Sequence, residues 1–268
     1  MAVRPLTADQ HRQVLSQLLD LGRTFGKSPV RSADIEYTSL MVCFLLHEIS
    51  AANSLLRLRE AFGEAWFPTT VGYIVARSMF ETDVTAHYIG QEPSHRAHQY
   101  IAFESVLKKH EMDTCAKHRG SKDPQWRDAM CLLWRKRWAQ EEQEVNAQYD
   151  QMRHQFETRG KGGKVTSFHN WSGKSIRQMA VEVEHEEAYD VFYADLSSFT
   201  HADVRLANRF LRLHADGMTW SQRAREFDVG SVFRYAAIFL TCHLKLFGQQ
   251  FGVWDAQTVE RCWNSEES

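Results

Sequence analysis

The first residues in this chain that could do chemistry are Arg77 and Glu81, four positions apart in the mostly apolar stretch 69–88. Residues four apart lie on one face of an α-helix, so the guanidinium and the carboxylate can reach each other. A helix that is apolar nearly all round is usually central to its domain. Because an unpaired buried charge costs several kcal/mol, the two charges need partners. We interpret them either as a structural ion pair or, with Tyr88 on the same face, as a polar site.

A second set of reactive side chains, Tyr193, Ser197 and His201, follows at intervals of four. On a continuous helix Ser197 lies about 40° and His201 about 80° around from Tyr193, so the three share one face. A phenol, a hydroxyl and an imidazole on an inward face could bind a ligand or transfer protons. They could equally form a buried polar network, and the sequence leaves both interpretations open.

Two histidine patterns invite a metal interpretation. His95 and His98 have a spacing that two metal ligands can use, but they fall in the first turn of a predicted helix, where side chains are usually solvated. Glu182 and His185 form one Glu-x-x-His element, whereas a ferritin-like di-iron site needs two such elements and two further glutamates. No second element is found, so we predict neither a metal nor a cofactor.

Long periodic stretches must position these residues. With 43% hydrophobic residues and few Gly and Pro among 268, the chain is typical of a globular, helix-rich protein. We predict an all-α, multi-helix bundle forming a single domain over residues 1–268, built around a central buried helix at about 69–90. The other predicted helices are 7–26, 32–63, 95–118, 124–158, a short one ending near 184, one or two over 189–214, 229–248 and 253–263.

The segment at about 140–170 is expected to protrude from this domain as a polar helix and a basic loop. Residues 108–164 contain thirteen Lys and Arg against nine Asp and Glu, although the whole chain has a net charge of −2. Such a local excess is a mild electrostatic footprint for RNA or DNA, and it is also what a solvated helix and loop look like.

Cysteine usage and the apolar runs indicate a cytoplasmic location. The five cysteines are scattered and form no Cys-x-x-Cys, as in reduced intracellular proteins. The N-terminus lacks an apolar core of the signal-peptide kind. The runs 40–46 and 232–246 are better interpreted as buried helices than as membrane spans, so no membrane partner is expected.

Four short runs occur in an order that resembles a known family. They are RSMFETDVTAHY, then Pro93 with RAHQYIAFE, then NWSGKSIRQMA, then YADLSSFTH. Together they resemble a bacterial domain-of-unknown-function family of helical proteins. Its pattern falls here on Arg77 with Glu81, on Trp171, and on Tyr193, Leu196, Ser197 and His201. The resemblance implies a helical bundle in which the Arg/Glu helix and the Ser/His helix meet.

Arg209 and His214 are separated by four residues. This spacing loosely resembles the signature of the HEPN helical ribonucleases, an Arg followed after four to six residues by a His. The resemblance implies RNA as the partner, a homodimer as the candidate assembly, and a role in defence or toxin systems. In such a site His acts as general acid and base, and Arg stabilises phosphoryl charge.

The resulting hypothesis is a metal-independent, ribonuclease-like effector. Its proposed catalytic residues are Arg77, Glu81, Tyr193, Ser197 and His201. Its proposed substrate-binding residues are Tyr88, Lys161, Lys164, Arg209 and His214. The alternative is a non-catalytic module that binds a protein or a ligand and uses the same Arg, Glu, Tyr, Ser and His side chains as a structural network.

Overall fold

The structure, a computed structural model, describes residues 6–24, 34–159, 165–168, 170–193, 195–197, 211–214, 217–220 and 226–264. The predicted all-α fold is confirmed. The helices are α1 (Ala8–Thr24), α2 (Ile35–Phe62), α3 (Thr69–Gln91), α4 (Pro93–Ala102), α5 (Glu104–His118), α6 (Pro124–Leu133), α7 (Ala139–Met152), α8 (Ile176–Glu182), α9 (Glu186–Ala188), α10 (Glu226–Phe251) and α11 (Ala256–Asn264). Two π-helical turns, Trp134–Trp138 and Tyr189–Tyr193, and a 3₁₀ turn, Arg153–Gln155, continue these helices.

Four short strands add two antiparallel hairpins. Strands β1 (Glu157–Arg159) and β2 (Val165–Phe168) pair so that Glu157 faces Phe168. Strands β3 (Leu211–His214) and β4 (Gly217–Trp220) pair so that Leu211 faces Trp220. The helix that we predicted to run to about His214 is therefore wrong at its end. Leu211 and Leu213 alternate with polar residues, and this period of two favours a strand.

The chain divides into two compact units, Met1–Gln91 with Ile176–Ser268, and Glu92–Ser175. That the two units form one domain over residues 1–268 stays a prediction. In the first unit α3 packs against α2, α8 and α10, which agrees with its predicted central position. Tyr73, Ala76, Met79 and Phe80 of α3 are almost fully buried, because the helix offers apolar residues on most of its faces.

Helix α1 begins with a capping box formed by Thr7 and Gln10. The backbone N–H of Gln10 donates to the Thr7 hydroxyl at 3.2 Å, and the Thr7 N–H donates to the Gln10 side chain at 2.8 Å. These two bonds satisfy donors that a helix N-terminus leaves free. They fix the start of a helix that packs against α2, α10 and α11.

In the described part of the chain, α2 is the one helix that is long and apolar enough to cross a membrane. The core helix of a soluble protein passes the same test of length and composition. Here α2 packs against α1, α3 and α10 and buries Met41, Leu45 and Leu55 completely.

The second unit has a small core of its own. Met112 and Cys115 of α5 are buried with Trp138 of the π-helical turn and Val145 of α7. Burying a Trp contributes much of the apolar area of so small a cluster. The π-helical turn places Arg135, Lys136 and Arg137 on the exposed side.

Candidate functional site

Arg77, Glu81 and Tyr193 form a closed hydrogen-bonded triangle. Arg77 Nε donates to Glu81 Oε1 at 2.8 Å, and Arg77 Nη2 donates to the Tyr193 hydroxyl at 2.8 Å. The Tyr193 hydroxyl in turn donates to Glu81 Oε1 at 3.3 Å. The side chains of Arg77 and Glu81 are 17% and 35% exposed, so solvent reaches the triangle. The structure thus brings together three of the five residues predicted as catalytic, and their catalytic role stays a prediction.

Aromatic rings hold Tyr193 in place. Tyr189, one turn earlier, stacks on Tyr193 with a centroid distance of 4.5 Å and an interplanar angle of 16°. Phe80, next to Glu81 on α3, lies 5.9 Å from the Tyr193 ring. The guanidinium carbon of Arg77 lies 4.9 Å from the same ring. Such packing limits the rotamers of Tyr193 and so fixes where its hydroxyl points.

The electrostatics of the triangle favour the protonated forms of Tyr193 and Arg77. Burial raises the pKa of Tyr193, and the charge of Glu81 raises it further. Burial lowers the pKa of Arg77, but the hydrogen bond and the charge of Glu81 outweigh that effect and raise it. At neutral pH the triangle therefore contains a cationic guanidinium and a protonated phenol, which are both hydrogen-bond donors.

Of the remaining predicted site residues, the structure describes Ser197, Tyr88 and His214. Ser197 is half-buried in a short helical segment, residues 195–197. Tyr88 is 6% exposed, so little of its side chain is open to a ligand. His214 ends strand β3 and does not lie on a helix with Arg209. His201, Arg209, Lys161 and Lys164 lie outside the described residues.

A second polar cluster lies elsewhere on α3. Asp83 Oδ1 is 3.2 Å from Nδ1 of His87, and Asp83 Oδ2 is 3.6 Å from Nδ1 of His185. The two imidazole centroids are 4.6 Å apart. In the described part of the chain, this is the group of His, Cys, Asp and Glu side chains arranged to hold a metal ion, and His95 and His98 do not belong to it.

The sequence contained signals for this second cluster. Asp83 and His87 have the four-residue spacing of neighbours on one helix face. His185 was considered only as half of a di-iron element, and Glu182 does not belong to the cluster. The partner of His185 is instead an aspartate far away in the sequence, which no local pattern reveals.

Two further ionisable side chains are fully buried and interact electrostatically with Asp83. Glu48 of α2 and His243 of α10 are each 0% exposed, and neither has a hydrogen-bond partner among the described residues. Burial raises the pKa of Glu48, and the charge of Asp83 raises it further. Burial lowers the pKa of His243 to about 4. Both groups are therefore held in their neutral forms, because burial penalises charge.

The comparisons with known proteins show the family. Residues 43–218, more than half of the chain, match the Family of unknown function (DUF5677). The chain belongs to this family. No curated protein and no solved structure matches it. The DUF5677 match agrees with the resemblance to a helical domain-of-unknown-function family, whereas the likeness to HEPN ribonucleases is not shown.

The DUF5677 match includes both polar clusters. Arg77, Glu81 and Tyr193 lie inside it, and so do Asp83, His87, His185 and Glu48. His243 lies beyond its C-terminal limit. The two clusters are therefore features of the DUF5677 region of this chain.

Proposed function

We propose that this DUF5677 protein acts on RNA as a metal-independent, ribonuclease-like effector at the triangle of Arg77, Glu81 and Tyr193. The proposal includes a location in the bacterial cytoplasm, a homodimer and a role in defence or toxin systems. The observation that carries it is the half-buried Arg77, held by Glu81 and by a tyrosine 116 residues away. A fixed guanidinium that solvent reaches suits the charge of a phosphodiester.

The chemistry needs a base, an acid and a stabiliser of negative charge. His201 takes the proton of an RNA 2′-hydroxyl as that oxygen attacks the adjacent phosphorus. The bond from phosphorus to the 5′-oxygen breaks, and His201 returns the proton to that leaving oxygen. Arg77 stabilises the charge that develops on the phosphoryl oxygens, and the protonated Tyr193 donates a hydrogen bond to one of them. Glu81 orients Arg77 through the 2.8 Å hydrogen bond.

The second unit offers features that suit RNA binding. Arg119 lies over the half-buried ring of Trp134, 3.8 Å from the ring centroid, and Arg135, Lys136 and Arg137 are exposed in the same turn. Trp126 is 61% exposed. Cations combined with exposed aromatic rings are the usual means of binding single-stranded nucleic acid without sequence preference.

The test is cleavage of a mixed RNA pool in EDTA, with thermal melting of every variant. We expect Tyr193→Phe to lower the cleavage rate by about 10²-fold, as loss of one transition-state donor does. We expect His201→Ala to abolish cleavage while it melts like the wild type. Tyr189→Phe is the matched control, because it removes the hydroxyl of the ring stacked on Tyr193. A wild type that never cuts RNA in EDTA contradicts the proposal, and so does equal loss in both tyrosine variants.

A non-catalytic binding module is the second candidate. The observation that favours it is that Nε and Nη2 of Arg77 are already bonded to Glu81 and Tyr193, so the triangle satisfies itself. On this alternative Tyr193→Phe lowers the melting temperature and changes no activity. A hydrogen bond to a charged group contributes about 1.5–3 kcal/mol, and solvent access to Glu81 places the expected loss near the lower value.

A further inference from the structure

We propose that Asp83, His87 and His185 bind one divalent first-row transition-metal ion of the zinc type. The site goes beyond the proposed ribonuclease function. The pair Asp83/His87 lies about 120° around α3 from the pair Arg77/Glu81, so the two sites open on different faces of the helix.

The distances suit a single small cation. Ligands about 2.0–2.1 Å from a tetrahedral zinc ion lie about 3.3 Å from one another. The contacts of Asp83 with His87 and His185 are 3.2 and 3.6 Å. One ligand atom from each of the three side chains lies within 4.8 Å of the other two. Nδ1 of His87 also lies 3.0 Å from the backbone carbonyl oxygen of Asp83, so His87 binds the ion either by giving up that hydrogen bond or through Nε2.

The ligand types match a known class of site. Two imidazoles and one carboxylate are a frequent ligand set of catalytic zinc and of non-haem iron, and both leave coordination positions open. Asp83 is 2% exposed, whereas the side chains of His87 and His185 are 20% and 22% exposed. An ion can therefore enter between the two imidazoles and meet a carboxylate that water hardly reaches.

The backbone turn at the end of α8 sets the position of His185. The N–H of His185 bonds to Ala180 O at 2.7 Å, and the N–H of Glu184 bonds to Val181 O at 3.2 Å. Glu184 has a φ of 61°, the left-handed conformation that usually belongs to glycine at the end of a helix. This turn ends α8 and directs His185 toward Asp83.

A buried carboxylate oxygen without a hydrogen bond is the independent observation that points to a cation. Asp83 Oδ1 is buried and has no hydrogen-bond partner among the described residues. The ion-pair partners described for Asp83 are imidazoles and not Lys or Arg. A carboxylate oxygen that is buried without a hydrogen bond is costly, and a divalent ion bound to it offsets that cost.

The experiment is titration of chelator-treated, dialysed wild type with Co²⁺, followed by visible absorption. We expect one equivalent to bind and to give the weak d–d bands of nitrogen and oxygen ligands without a thiolate charge-transfer band. His185→Ala is expected to weaken binding at least about 100-fold, because it removes a direct ligand. His95→Ala removes an exposed histidine of the second unit and is the matched control, with unchanged binding.

A thermal measurement gives a second readout. Zn²⁺ at about 100 times its Kd should raise the Tm of the wild type by about 5 °C or more, and leave that of His185→Ala unchanged. If His185→Ala fails to fold, as judged by far-UV circular dichroism, His87→Gln takes its place. The proposal is overturned if the wild type binds less than one equivalent, if the ligand variant binds as well as the wild type, or if His95→Ala abolishes binding. None of these results depends on RNA cleavage, which is assayed in EDTA.

Discussion

The buried His243 allows a prediction whose magnitude follows from the structure. Its ring is 0% exposed, and burial lowers its pKa from 6.5 to about 4. Asp83 opposes this shift, whereas His87 and His47 add to it. Since the folded pKa lies below the unfolded one, the unfolded chain binds more protons between these values. Stability contributed by neutral His243 is therefore present above about pH 6.5 and is lost as the pH falls.

Between pH 7.5 and 5.0, the contribution of His243 to the free energy of unfolding should fall by about 2 kcal/mol, since one pKa unit is worth about 1.4 kcal/mol. The assay is urea unfolding in EDTA, in which the wild type is compared with His243→Gln at each pH. The difference in free energy of unfolding between the two proteins reports on His243, because the other titrating groups near Asp83 are present in both and cancel. Glu48, with its raised pKa, contributes in the opposite direction in each.

We expect the stability advantage of the wild type over His243→Gln to shrink by about 2 kcal/mol at pH 5.0. His95→Gln, which removes an exposed histidine, is the matched control. A difference that stays constant within about 0.5 kcal/mol from pH 7.5 to 5.0 would refute the reasoning, because a neutral, buried imidazole has to produce the change.

Two backbone positions give further predictions. Glu184→Gly should raise the free energy of unfolding by about 1 kcal/mol, because it relieves a left-handed conformation. A lower free energy of unfolding, measured with urea, contradicts this. Gly248→Ala should lower it by about 1–3 kcal/mol, because the new Cβ would lie 2.6 Å from the carbonyl oxygen of Trp254. Gly90→Ala meets nothing closer than 3.6 Å and is the helical control; equal losses in both alanine variants would contradict the steric argument.

Sequence patterns were sufficient where the structure is local. The capping box of Thr7 and Gln10 and the pairing of Arg77 with Glu81 depend on residues three or four apart. The central position of α3 followed from an apolar composition on most of its faces. These features depend on helix geometry alone, so their residue spacing predicts them.

Contacts between distant segments could not be predicted in the same way. Tyr193 was selected by its helical spacing with Ser197 and His201, and the family resemblance implied that this segment meets the helix of Arg77; the bond between Tyr193 and Arg77 joins segments 116 residues apart. His185 was noticed and set aside, because its partner Asp83 lies on another helix. Strand β3 was missed because residues 211–214 follow a stretch with helical spacing, and four residues are too few to reveal a change of period.

Helix α3 carries two pairs of polar residues with the same spacing, and their charges differ in a way that matters for function. Arg77 and Glu81 neutralise each other, so that face needs no added ion and suits either metal-free chemistry or a structural role. Asp83 has imidazole ion-pair partners among the described residues and a buried oxygen without a hydrogen bond, to which a metal ion would bind. RNA cleavage that persists in EDTA and falls in Tyr193→Phe would assign activity to the first face. Activity that needs added Zn²⁺ and falls in His185→Ala would assign it to the second, and would replace the metal-independent proposal.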